Sequence, residues 1–321
     1  MSLAERYVRF GLDEARGVSP TYERLALAVA EDPGLLSLLA TLPREKRQPN
    51  LLFGVVRLLG GPVDDTARFG EYVREHWTRV STEIRNRITQ TNEPGRCAVL
   101  LPVLASLPQP LALLEVGASA GLCLYPDRYG YRYGERLRGT GTPVLDCELT
   151  GVAVPDRLPE VVWRAGLELN PLDVTDPDDL AWLDALIWPE HAHRRERLRA
   201  AAAIAAAEPP LLVRGDLSRD LAALAAEAPS GATLVVFHTA VLHLVPPEGR
   251  AAFTETVRAL PGHWIANEAP TVLPYGSLPE PPGPGHHNVL ALDGAPLAWT
   301  RGHGQSAHWF ADRPERTRRP Q

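Results

Sequence analysis

Cysteine is scarce. The chain has three among 321 residues, Cys97, Cys123 and Cys147. An odd number with no Cys-x-x-Cys spacing argues against a disulfide framework and against the common zinc and dithiol motifs, and it suits a reducing compartment. Positive charge is not in excess either. Lys and Arg total 33 against 39 Asp and Glu, a net charge of −6, so the basic face of a general nucleic-acid binder is missing. No stretch reaches the roughly 18 uncharged apolar residues that a membrane helix needs. The N-terminal residues include Glu5 and Asp13 and form no long apolar run, unlike a secretory signal. Metal-ligand patterns are lacking as well. His191 and His193 stand two apart on an expected helix, where they do not share a face, and no metal site is expected. These absences leave a cytoplasmic protein whose partner is a small molecule, with neither nucleic acid nor membrane as partner and the oligomeric state open.

What is present is ordinary globular chemistry: 45% apolar and 22% charged residues, enough length for one large domain or two smaller ones. Thirty-one prolines and 26 glycines imply many loops and sharp stops. Residues 1–90 read as a helical N-terminal cap. Ser2 with Glu5 is a capping box. Ser19 before Pro20 and Asp32 before Pro33 are N-caps with proline at the first helical position. A helix from Asn50 to about Leu59 and helical spacing from Asp64 to Ile88 complete this part.

From residue 91 the pattern changes. A helix from Arg96 leads to the apolar run Leu111–Leu114, which ends in Glu115. Small residues then stand at alternate positions: Gly117, Ser119 and Gly121. This reads as a buried strand, a tight turn and the start of a helix, with glycines that admit close backbone approach and helix N–H groups that face a ligand. Further expected strands end at Glu168, Asp216, His238 and Glu268, with helices between, the longest from Pro189 to Ala207. Short antiparallel strands follow after 288. Residues 128–158 read as an inserted hairpin and 313–321 as a frayed basic tail. The fold class is α/β: a mostly parallel sheet covered by helices, a second part spanning 91–312. In such sheets ligands sit at the carboxyl ends of the strands, and every strand here ends there in a polar residue.

Two chemistries fit the turn. In the first, Gly117, Ser119 and Gly121 let the backbone pass close to a nucleoside cofactor. Glu115 assists, Glu168 holds ribose hydroxyls with Asp146 as its rival, and Asp216 accepts from an adenine amino group. His238 and Glu268 then face the substrate, His238 as base, with Asn267 in the substrate pocket. In the second, Gly117-x-Ser119-x-Gly121 is a nucleophile elbow. Ser119 then attacks, an acid comes from Asp216 or Glu268, and a histidine from His286, His287, His303 or His308. No Gly-rich oxyanion stretch precedes the turn, and Glu115 has no role in an elbow, so the cofactor reading is preferred. A catalytically silent ligand-binding protein is the other alternative. A nicotinamide dehydrogenase lacks its Gly-x-Gly-x-x-Gly at the turn.

The motifs around Glu115 to Gly121, Gly166 to Glu168, Gly215 and Asp216, and Val235 to Leu242 together resemble the successive motifs of class I S-adenosylmethionine-dependent methyltransferases. More closely, the chain resembles the bacterial domain of unknown function 2332 family. The stretches that carry this are Thr91 to Arg96, Glu115 to Leu122, Asp127 to Tyr129, Asn170 to Asp173, Trp188-Pro189 and Phe237-His238. The resemblance implies a Rossmann-like, methyltransferase-type sheet with antiparallel C-terminal strands, S-adenosyl-L-methionine as cofactor, and methyl transfer to a small molecule. Asn92, Glu93, Arg96 and Tyr129 fall in these stretches and join Asn267 as expected pocket residues. Two departures stand out. Ser119 replaces the usual middle glycine, which is tolerable if its backbone need not take positive φ. Glu168 also lies far beyond Gly121, which the inserted hairpin explains.

Overall fold

A computed structural model of the chain describes residues 1–311. The expected frayed tail, 313–321, and the last residue of the preceding part lie outside the described residues. In chain order, helices α1 (Leu3–Arg9), α2 (Pro20–Glu31), α3 (Pro33–Ala40), α4 (Pro49–Leu58), α5 (Thr66–Glu75) and α6 (Trp77–Asn86) come first. Then α7 (Cys97–Leu104) precedes β1 (Leu111–Val116). Next come β2 (Gly130–Tyr133), β3 (Arg136–Arg138), β4 (Val144–Asp146), β5 (Glu148–Thr150) and β6 (Val161–Glu168). After α8 (Pro177–Leu186) and α9 (Ala192–Ala207) the chain forms β7 (Leu211–Arg214), α10 (Leu221–Ala225), β8 (Thr233–Thr239), α11 (Pro247–Ala259) and β9 (His263–Glu268). It ends in β10 (Asn288–Leu292), β11 (Ala295–Thr300) and β12 (Ser306–Trp309).

The helix starts follow from local side chains. Ser2 and Glu5 form a reciprocal capping box on α1. The Ser19 hydroxyl accepts from the Tyr22 amide at 3.1 Å, Asp32 from Leu35 at 3.0 Å, Asp65 from Arg68 at 2.9 Å and Asp176 from Asp178 at 2.8 Å. Each supplies an acceptor to an amide with no partner inside its helix. Past α1 the helix loosens into one π-helical turn, Phe10–Ala15.

The chain divides into two compact units. The helical unit comprises residues 1–91 and 175–198, so the second segment departs from the expected boundary, which gave it to the sheet-bearing part. Packing explains the departure. Gly54 on α4 admits α8 closely; a Cβ there would stand 3.2 Å from the Trp182 ring and from Leu186. Trp182 is fully buried and its indole N–H donates to the Ile88 carbonyl at 3.1 Å. Arg57 donates to the carbonyls of Ala185 and Ile187, and the Trp188 indole donates to Asn50 at 3.0 Å. Phe53 anchors this unit, with its ring centroid 4.9 Å from Tyr22 and 5.7 Å from Phe69.

The second unit comprises residues 92–174 and 199 onward. It carries a nine-stranded sheet in the order β5-β12-β11-β10-β9-β8-β1-β6-β7. Strands β7, β6, β1, β8 and β9 run parallel to one another. β10, β11 and β12 continue antiparallel from β9, and β5 adds in parallel to β12. The fold is thus α/β with a large, mostly parallel sheet and helices. The crossover from β1 to β6 carries a separate sheet, β3-β2-β4, and no long helix. Glu115, Phe237, Thr239 and Asn267 share one sheet face by register. On the other face Leu114, Val116, Val236, Trp264 and Ala266 pack with Leu221, Leu224 and Phe253. Among the described residues no helix is long and apolar enough to cross a membrane.

Removing the Trp182 side chain opens a large cavity against α4. Trp182→Ala is expected to lose about 3–5 kcal/mol of stability, measured by chemical denaturation. A loss below about 1 kcal/mol, an ordinary surface effect, would show that α8 does not anchor this unit.

Candidate functional site

Strand order locates the site. From β1 the chain adds β6 and β7 on one side and β8 and β9 on the other. Direction of winding therefore reverses between β1 and β8, and the crevice at the carboxyl ends of those strands is where open α/β sheets bind ligands. The segment after β1 crosses that crevice. Gly117, Ser119 and Gly121 all take positive φ, +71°, +53° and +72°. Ser119 thus adopts the left-handed backbone that a serine there was expected to avoid. The strain costs roughly 1–2 kcal/mol. It is offset by Glu168, whose Oε2 accepts from the Ser119 amide at 2.8 Å while Oε1 accepts from Asn170 at 3.1 Å; hydrogen bonds to a charged group contribute about 1.5–3 kcal/mol.

Four amides of the turn, those of Gly117, Ser119, Gly121 and Leu122, are taken. Gly117 donates to the Leu167 carbonyl at 2.8 Å and Gly121 to Ala118 at 2.7 Å. Leu122 donates to Asn92 Oδ1 at 3.1 Å, and Asn92 Nδ2 returns a bond to the Ala118 carbonyl at 2.7 Å. Only the short 3₁₀ turn Leu122–Leu124 follows, so the expected helix N-terminus with outward N–H groups is not formed. Nor does Gly117 meet open space. A Cβ there would stand 2.4 Å from Val241 Cγ2, so Val241 covers the glycine. These facts take four of the turn's amides away from a phosphate-cradling role. They leave acceptors in place of donors.

Glu115 is the foremost of these acceptors. It is buried, and its Oε2 has no hydrogen-bond partner. Burial pushes its carboxyl well above the ordinary 4.5; Cys123 and Glu168 push the same way and Arg96 opposes them. Ser119 Oγ is also buried without a hydrogen-bond partner, so among the described residues no histidine is bonded to it as a base. Glu168 stands at the carboxyl end of β6. Its rival Asp146 lies exposed on the small sheet, paired with Arg132 at 3.4 Å. Asp216 follows β7. Its Oδ1 accepts from the hydroxyl and amide of Ser218, which hold its carboxyl below the ordinary range.

His238 and Glu268 do not face the turn as base and partner. His238 is 0% exposed, with Nδ1 2.7 Å from Glu268 Oε1. Its Nε2 lies 3.0 Å from the Trp264 indole nitrogen. An indole N–H only donates, so Nε2 accepts, the ring proton sits on Nδ1, and neither nitrogen is open to a substrate. Glu268 Oε1 also accepts from the amides of Val241 at 2.8 Å and Leu242 at 3.1 Å. Burial raises its carboxyl, but His238 and those amides overcome the effect and hold it below 4.5. The pair positions the loop after β8, and with it Val241 over Gly117. These are positioning residues, a correction to the catalytic roles expected for them.

The expected pocket residues divide in the same way. Tyr129 is fully buried and its hydroxyl donates to the Leu122 carbonyl at 2.7 Å, so it props the turn. Glu93 caps the 3₁₀ turn Pro94–Arg96 through the Gly95 amide at 2.9 Å. Arg96 spans the edge, donating to Thr239 Oγ1 at 3.0 Å, the Thr239 carbonyl at 2.9 Å and the Gly302 carbonyl at 3.0 Å. Asn267 takes the Thr300 hydroxyl on Oδ1 at 2.7 Å. Thr239, Val241, Trp264 and Thr300 escaped the sequence reading. Trp264 shares a strand face with Glu268 by simple alternation; the others become visible only once strands are paired. Among the described residues no group of three or more His, Cys, Asp or Glu is arranged to hold a metal.

Fold and site together define a class: an α/β protein with an acceptor-rich crevice at the switch point of a mostly parallel sheet. The chain belongs to the DUF2332 family, whose family model, described as "Uncharacterized protein conserved in bacteria (DUF2332)", matches residues 4–309. The match takes in the helical unit as well as the sheet. No curated protein and no solved structure matches the chain.

The buried carboxyl of Glu115 has a consequence for stability. The folded chain holds this proton more tightly than the unfolded one, so stability falls as pH rises above 4.5. Glu115→Gln is expected to raise the melting temperature at pH 8 and to leave it nearly unchanged at pH 4. Equal melting curves at both pH values would remove the assigned cost.

Proposed function

We propose that this chain is a Rossmann-like, S-adenosylmethionine-dependent methyltransferase acting on a small molecule. The observation that carries the reading is the unpaired, buried oxygen of Glu115 at the β1–β8 switch point. The residues fit this cofactor better than a dinucleotide. A pyrophosphate needs free amides at the turn, and the amides of Gly117, Ser119, Gly121 and Leu122 are taken. S-adenosylmethionine has no phosphate and carries positive charge, and the edge offers the carboxyls of Glu168 and Asp216 with the buried Glu115, which a bound cation would favour in its ionised form. Glu115 would receive an ammonium or hydroxyl, Glu168 ribose hydroxyls through its remaining lone pairs, and Asp216 the adenine amino group. The bound cofactor would supply an electrophilic methyl group for in-line transfer to a nucleophile. The chain's own contribution is to orient and to exclude water. With both nitrogens of His238 engaged, the acceptor is best read as a nucleophile that needs no strong base. The same sealed histidine favours the second reading, a protein that binds the cofactor without turnover.

Isothermal titration of the full chain with S-adenosylmethionine and S-adenosylhomocysteine tests the proposal. Both are expected to bind, and Glu115→Gln to weaken each by about 10–100-fold, the loss of one charge-assisted hydrogen bond. No heat with either compound would overturn it. Binding without formation of S-adenosylhomocysteine from a panel of small nucleophiles would select the second reading.

A further inference from the structure

The same edge holds one cluster of opposite character. Arg96 is 8% exposed, and Asn267 is fully buried. A buried guanidinium is ordinarily matched by a carboxylate; here the buried carboxyl of Glu115 acts on it electrostatically, while its hydrogen bonds go to neutral oxygens. Nη1 and Nε donate to Thr239 and Gly302, and Nη2 makes no hydrogen bond among the described residues. The Asn267 amide is oriented by the Thr300 hydroxyl on its oxygen, which leaves Nδ2 buried with no partner. An orphaned buried donor costs about 1–3 kcal/mol. The two groups belong together. Thr239, which Arg96 holds, is the register partner of Asn267 on the next strand, one strand spacing of about 5 Å away and on the same sheet face. One guanidinium nitrogen, Nη2, and the buried Nδ2 donor thus belong to side chains anchored on neighbouring strands of one face.

We infer that Arg96 and Asn267 form a recognition site for a small carboxylate. Nη2 of Arg96 and Nδ2 of Asn267 can each donate to one carboxylate oxygen, and the guanidinium supplies the opposite charge. The site adjoins the crevice of the proposed cofactor, but it needs no cofactor to be occupied. The carboxylate has two sources, the amino-acid end of S-adenosylmethionine or a separate acid that serves as methyl acceptor.

Acetate is the probe. In full-length protein, about 50 mM acetate is expected to raise the melting temperature above that in equal chloride, by linkage to the folded state. Arg96→Gln is expected to weaken acetate by about 10–100-fold. Because Arg96 also ties Thr239 to Gly302, that variant can fail to fold, so Asn267→Asp is the second. It places a carboxylate beside Arg96 from within. It is expected to raise the melting temperature and abolish the acetate response, whereas burying an unmatched charge would lower the melting temperature. Saturating S-adenosylhomocysteine then separates the sources: competition with acetate assigns the site to the cofactor's own carboxylate, and additive stabilisation to a separate acid. These arms run without cofactor first, so failure of cofactor binding leaves the acetate result standing. No shift beyond chloride in wild type, or a destabilised Asn267→Asp that keeps its acetate response, would overturn the inference.

Discussion

The carboxylate of Glu168 sets the chemistry of the whole edge. Its two oxygens hold the amides of Ser119 and Asn170, and this clamp keeps a serine in left-handed backbone between two left-handed glycines. A turn fastened in this way has turned its donors inward. With four of its amides engaged it offers a phosphate few donors, and the side chains around it include the carboxyls of Glu115 and Glu168. The familiar pattern of alternate small residues therefore serves compact closure here as much as ligand approach. Gly117 is small because Val241 stands against it, and Val241 is there because Glu268 holds its amide.

The two faces of the sheet divide the work. On one, both ring nitrogens of His238 are engaged in the Trp264–His238–Glu268 chain, while Glu268 Oε2 stays buried without a partner. A histidine at a strand end looks like a base, but a donor fixed on its free nitrogen removes that use. On the other face Glu115 Oε2 and Asn267 Nδ2 are buried without partners, and Arg96 donates to Thr239, the register partner of Asn267. Leaving buried polar groups unsatisfied is costly in a stable fold. Those at the crevice, Glu115 Oε2 and Asn267 Nδ2, are the atoms on which the proposed ligand contacts rest.

Local signals in the sequence carried most of the element boundaries. The caps at Ser2, Ser19, Asp32 and Asp176 were readable because a capping side chain acts within three residues. The strand from His263 to Glu268 was readable from an apolar run that ends in polar residues. What depended on distant pairing was not. The segment 175–198 packs in the helical unit through Trp182 and Arg57, and helical periodicity alone does not say which partner a face will find. The helix expected after the turn gave way to a short 3₁₀ turn, because Tyr129 and Asn92 bind the backbone at Leu122 instead. Likewise the site was legible as an edge of acids. The engagement of His238, the covering of Gly117 and the open donors of Arg96 required strand register.

The most direct measurement is a crystal structure of the full chain with S-adenosylhomocysteine bound. The expected result is ligand density across the carboxyl ends of β1 and β6. Glu115 Oε2 would lie within hydrogen-bond distance of a ligand ammonium or hydroxyl, and Val241 would be displaced from or packed against the ligand. Density at another place, with Glu115 Oε2 still unpartnered, would contradict a cofactor site at this switch point.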